Sequence, residues 1–210
     1  MLDYSKLAPG MIIGTTCVRE FAGALIRTIE DGPQHAFDGM VAEHVLCVCE
    51  SYGLKYGMEM GPRHKDDRGP QLTEDDNNKL KIRRVDLKDY DGGKNGNHIV
   101  FVADPFGHTG APWRYRDAAN RFLWTAHALG IGYDTLELVK FLKLPVYDSS
   151  TKWICSDLSR EMIKGVNREN TNFPVSYPKE WDEKTSPFDQ QKYYTETNQL
   201  VAGVSECCIA

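Results

Sequence analysis

No stretch of this 210-residue chain approaches the roughly 20 consecutive apolar residues needed to span a bilayer. The run from Leu7 to Ile13 is broken by Pro9 and Gly10, and the run from His98 to Ala103 is only strand-length. A transmembrane helix is therefore not expected. The segment Met1 to Lys6 has neither the basic n-region nor the apolar h-region of a secretory leader, so a cytoplasmic location is expected. An excess of positive charge is also missing. With 25 Lys+Arg against 30 Asp+Glu the formal charge is −5, which disfavours a nucleic-acid partner. No C-x-x-C pair exists, and the His and Cys residues lack metal-ligand spacing, so neither a metal nor another cofactor is expected. Internal repeats and low-complexity runs are absent as well.

What is present fits one globular domain over residues 1–210. The chain is 41% hydrophobic and 26% charged, and its eight Phe, ten Tyr and four Trp exclude disorder of the whole. Of its six cysteines, Cys47 and Cys49 lie two apart in an apparent strand. They share a face and cannot easily bridge, so free thiols in a reducing compartment are the simpler reading. Cys207-Cys208-Ile209-Ala210 has the form of a prenylation box without the upstream basic cluster, and is read as a frayed tail.

The pattern along the chain is α+β. Pro9-Gly10 turns into a short strand ending near Ile13, and Thr16 can cap a helix over 17–29. His44 to Glu50 is a strand. Tyr52-Gly53 is a turn, and Leu54 to Met60 returns as the second strand of a hairpin. Residues 61–79 are a polar insertion. Leu80 to Val85 and Ile99 to Ala103 read as further strands, so the sheet comes mainly from residues 11–103. Helices follow over Pro112 to Leu129, Thr135 to Leu142 and Cys155 to Lys164. Leu129 counts with the inward face of the first, and Gly165 is the expected stop of the last. The chain from about 166 onward reads as an irregular wrapping tail. Trp113-Arg114-Tyr115-Arg116 mixes cations and aromatics, but is more simply the solvent face of a helix start.

Cys155 stands where an amphipathic helix begins. Unpaired backbone N–H groups at such a terminus favour a thiolate and can act as an oxyanion hole. A buried structural cysteine is the alternative. A cysteine nucleophile needs a base. Of the six histidines, His44 opens the hairpin that also carries Glu59, between Met58 and Met60. An acid in an apolar strand is costly without a partner, and an imidazole across the hairpin would satisfy it. The competing reading is a strand-edge Glu facing water. His35 is the reserve base.

These residues, in this order, resemble the circularly permuted NlpC/P60 group of papain-like cysteine hydrolases, of the YiiX/YebB kind. Pro9-Gly10-Met11-Ile12-Ile13 resembles the opening turn and strand, and Glu43-His44-Val45 resembles the strand that carries the histidine. Met58-Glu59-Met60 resembles the segment bearing the acid. Gly130-Ile131-Gly132-Tyr133-Asp134 resembles a Gly-x-x-Tyr-Asp segment, and Trp153-Ile154-Cys155-Ser156-Asp157-Leu158 resembles the nucleophile segment. His44 precedes Cys155 by 111 positions, the order of the permuted form. Glu43, Asp157 and Met11 depart from the usual Ser, Glu and Asp. The resemblance implies a permuted papain-like fold, an antiparallel sheet flanked by helices. It implies Cys155 as nucleophile, His44 as base and Glu59 as the orienting acid, with Tyr133 and Asp134 at the substrate wall. The implied substrate is a peptide, an amide or an acyl lipid. A thiol acyltransferase or lipid deacylase of the same superfamily is the second reading, although its usual Asn-Cys-Glu-His-Phe segment is not matched. A binding or structural module that kept the fold without turnover is the third.

Overall fold

The computed structural model describes residues 2–17, 41–61, 81–90, 97–133, 152–153, 155–182 and 185–201. Their architecture is α+β. Strands β1 (Ile12–Cys17), β2 (His44–Ser51), β3 (Leu54–Gly61), β4 (Lys81–Val85) and β5 (Asn97–Ala103) pair antiparallel in the order β5-β1-β2-β3-β4. The short β6 (Gly132–Tyr133) extends the sheet beyond β4, and β7 (Lys152–Trp153) lies parallel to β6 at its edge. Three α-helices are described: α1 (Pro112–Leu129), α2 (Cys155–Glu169) and α3 (Pro187–Glu196).

The β2–β3 hairpin closes through Tyr52 and Gly53, both at positive φ (52° and 75°). A two-residue turn of that kind has the twist that paired strands require. It sets the register in which Leu46 faces Glu59 and Cys47 faces Met58. Side chains alternate across β2, and both faces are covered. Val45, Cys47 and Cys49 pack with Met58, Met60 and Ile82 beneath α1 and α2, while Leu46 and Val48 pack on the other face with Ile13, Leu87 and Val102. Burial on both sides explains why this strand is apolar without interruption.

Helix α1 begins with Pro112 in its first turn and ends at Gly130, as its flanking residues predict. Its inward face is Tyr115, Ala118, Ala119, Leu123 and Ala126; Leu129, expected inside, is exposed. Trp113 also points outward, whereas Tyr115 is buried and donates from its hydroxyl to the Phe173 carbonyl at 2.7 Å.

Three expectations change. Thr16 does not cap a helix: β1 runs through Thr16 and Cys17, and Thr16 pairs with His98 of β5. Gly165 does not end α2, which continues to Glu169. A Cβ at Gly165 would lie 2.5 Å from Phe122 Cδ2. The glycine is there to let α1 approach, and helix geometry is kept. The tail expected to be irregular from about 166 holds the end of α2, a 3-10 turn at Lys179–Asp182 and α3. The helix expected over 17–29 and the insertion expected over 61–79 lie, beyond their first residues in β1 and β3, outside the described residues, as do the helix expected over 135–142 and Cys207-Cys208-Ile209-Ala210. Among the described residues, no helix is long and apolar enough to cross a membrane.

Candidate active site

The site is assembled where β2 begins and α2 begins. His44 is the first residue of β2 and Cys155 the first of α2. Helix α2 lies across β2 and β3, with Leu158, Met162, Ile163 and Val166 buried beneath it. That packing brings the helix N-terminus, and with it Cys155, close enough to the His44 ring for the sulfur to act on its charge.

Glu59 is two positions along from His44 on the neighbouring strand, because its direct partner is Leu46. Diagonal neighbours on one face are within reach of long side chains. His44 Nε2 stands 2.9 Å from Glu59 Oε2. A carboxylate accepts, so Nε2 carries the proton that it donates, which leaves Nδ1 for the thiol. The carboxylate thereby fixes the orientation of the imidazole. His44 remains about 24% exposed, whereas the Glu59 side chain is fully buried.

A buried carboxylate is expensive unless its lone pairs are filled. Glu59 meets that condition with residues that sequence reading did not single out. Arg83 lies directly opposite Glu59 in the β3–β4 pairing and donates from Nε to Oε1 at 2.6 Å, with Nη2 at 2.5 Å. The Tyr90 hydroxyl, which follows the 3-10 turn Leu87–Asp89, donates to Oε2. One oxygen is therefore gripped by the guanidinium, and the other is shared by His44 and Tyr90. The parity of β4 carried a signal for Arg83, since it alternates with the inward Ile82. Tyr90 carried none.

The electrostatics follow from this arrangement. Burial alone would lower the pKa of His44. The charge of Cys155 and its hydrogen bond, and then the bond and charge of Glu59, override burial and lift His44 to about 10. Burial would raise Glu59. The hydrogen bond and charge of His44, with Arg83 and Tyr90, outweigh it and hold the carboxyl down at about 2. Burial and the charge of Glu59 push the Tyr90 phenol far up, so it stays a donor. Asp157, in the first turn of α2, is buried but paired with Arg160 at 2.9 Å, so its charge beside Cys155 is compensated.

The remaining candidates are placed as follows. Tyr133 belongs to β6, and its backbone pairs with Trp153, two residues ahead of Cys155. Asp134, His35 and His64 lie outside the described residues. His98 is in β5, His108 is exposed, and His127 packs edge-on against Trp124 with ring centroids 5.8 Å apart. Cys47 and Cys49 are buried in the core; burial pushes the Cys47 thiol far up, and burial pushes Cys49 to about 12. Among the described residues, no group of three or more His, Cys, Asp or Glu could hold a metal ion. An open groove of about 380 Å³ is lined by Pro9, Glu50, Lys55, Trp113, Arg116 and others near the far end of β2, and it touches none of the candidate residues. No protein-family model matches this chain, and a search of curated proteins returns no match.

Proposed function

We propose that this protein is a cysteine hydrolase of the permuted papain-like type that cleaves an amide, peptide or related acyl bond through Cys155, His44 and Glu59. The observation that carries the reading is that one imidazole stands 2.9 Å from the buried Glu59 carboxylate and interacts with Cys155 at the start of α2. A structural cysteine needs no such partner, and a solvated strand-edge acid would not be fully buried under three donors.

The chemistry is acyl transfer through sulfur. At neutral pH His44 already carries both ring protons, and Cys155 reacts as the thiolate beside this imidazolium. Sγ attacks the substrate carbonyl carbon, and the oxyanion develops against the backbone N–H groups that open α2. The C–N or C–O bond breaks as His44 gives its proton to the leaving group, and a thioester remains. Water, losing a proton to His44, attacks the thioester carbon, and the acid is released with the thiolate restored. Glu59 keeps its charge throughout, because Arg83 and Tyr90 hold it as an anion, and it fixes the ring orientation. Tyr133, beside the strand that leads into Cys155, is the candidate wall residue for substrate.

The test is alkylation of the folded protein by iodoacetamide, read by mass spectrometry. Cys155 is expected to label faster than the five other thiols at neutral pH, and to slow when His44 is replaced by alanine. Equal labelling of Cys155 in both proteins would sink the proposal.

A further inference from the structure

Helix α3 reaches the segments next to both members of the candidate dyad through two adjacent side chains, Gln190 at the residue after Cys155 and Gln191 two residues ahead of His44. Its start is locked by a reciprocal cap: Ser186 Oγ accepts from the Asp189 N–H at 3.0 Å, and Asp189 Oδ2 accepts from the Ser186 N–H at 2.9 Å, with Pro187 in the first turn. A helix so fixed sends successive side chains out about 100° apart, which follows from 3.6 residues per turn. Gln190 and Gln191 therefore point to different elements.

Gln190 is fully buried against the first turn of α2. Its Nε2 donates to the Ser156 carbonyl at 2.9 Å, and its Oε1 accepts from Ser159 Oγ at 2.8 Å. Ser156, the residue after Cys155, also donates from Oγ to the Thr185 carbonyl at 2.6 Å. Gln191 Oε1 accepts from the Ala42 N–H at 2.8 Å, across a sequence separation of 149 residues. Ala42 is fully buried and stands two residues ahead of His44, and the next N–H, that of Glu43, is held by the Thr15 carbonyl at 3.0 Å.

We propose that Gln190 and Gln191 are positioning residues that tie the turn bearing Cys155 to the strand entry bearing His44, so that α3 sets the thiol–imidazole distance. The inference rests on the proposed cysteine chemistry and assigns it a part of the chain outside the segments that hold the reacting groups. Hydrogen bonds of this kind hold two segments distant in sequence in register. Misplacement of about 1 Å between reacting groups is enough to cost on the order of 10²-fold in rate.

Gln191 is the residue to test, because it is only partly buried and its loss leaves the core intact. The full chain is compared as wild type, Gln191→Ala, Gln191→Glu, His44→Ala and the Gln191→Ala/His44→Ala double variant. Cys155 alkylation rates are measured across a pH series with thermal unfolding alongside. Gln191→Ala is expected to slow Cys155 labelling about tenfold with an altered pH profile, and Gln191→Glu, which keeps an acceptor oxygen, to restore it. In the His44→Ala background the alanine at 191 should have no further effect, since the tie acts through the imidazole. A slowing that persists without His44, or a Gln191→Ala profile that matches wild type, overturns the inference while leaving the dyad intact. Wild-type Cys155 that ignores His44 overturns the dyad itself, and the inference with it.

Discussion

Arg83 Nε stands 2.6 Å from Glu59 Oε1, directly across the pairing of β3 with β4, and neither carboxylate oxygen of Glu59 is left open. A fully buried acid is thus kept ionised by a cation that the same sheet supplies. The imidazole beside it then has a fixed partner.

Arg83→Met removes that cation and leaves the charge of Glu59 buried under two remaining donors. Loss of one partner from a buried ion pair costs about 3–5 kcal/mol. Urea unfolding should show a loss of that size, together with slower Cys155 labelling. Arg83→Lys, which keeps the charge but not the paired N–H geometry, should recover part of the stability. A variant as stable as wild type would mean the ion pair is incidental.

Removal of the thiol should be visible on His44. Burial pulls its pKa down, and Cys155 contributes the first of the opposing effects that hold it at about 10. In Cys155→Ala the His44 ring should titrate well below that value, moving toward its ordinary 6.5. The ring signals in a proton NMR titration report this directly. An unmoved midpoint would assign the lift to Glu59 alone.

Acid stability should depend on Glu59. Its carboxyl sits at about 2 in the folded protein against an ordinary 4.5, so the folded state binds that proton less readily than the unfolded chain. The contribution is complete above about pH 4.5 and is lost as pH falls through about 2. The gap in unfolding free energy between wild type and Glu59→Gln should therefore be flat between about pH 5 and 6, below the range where His44 titrates, and narrow on acidification. A gap that stays constant into strong acid would contradict a depressed Glu59.

Gly165→Ala opposes two effects of different size. Alanine in a helix interior gains roughly 0.5–1 kcal/mol over glycine. The new Cβ meets Phe122 at 2.5 Å, and overpacking of that kind costs about 1–3 kcal/mol. Net destabilisation is expected in thermal melts; a raised melting temperature would show that the Phe122 ring moves aside freely.

Local patterns carried much of the fold. The apolar run over 45–49 and the turn at Tyr52-Gly53 made the hairpin readable, and Pro112 and Gly130 bracketed α1, because turn geometry and helix ends are decided by the residues that form them. The signature of α3 was also present: Ser186, Pro187 and Asp189 have cap spacing, though the aromatic and polar residues around them read as irregular chain. Gly165 misled for the opposite reason. A glycine that stops a helix and one that admits a neighbouring helix look alike until that neighbour is in place.

By itself, then, the sequence determined the β2–β3 hairpin, the bounds of α1, the presence of Cys155 at a helix start, and the placing of His44 and Glu59 on one hairpin. Only the tertiary structure decided that α2 would bring the thiol to the imidazole, that Arg83 and Tyr90 would fill the remaining lone pairs of Glu59, and that Gln191 would reach Ala42. The physical reason is range. Propensity, capping and turn chemistry act over a few residues, whereas the partner of a buried charge or amide is chosen by packing between segments that can lie more than a hundred residues apart, as Ala42 and Gln191 do at a separation of 149.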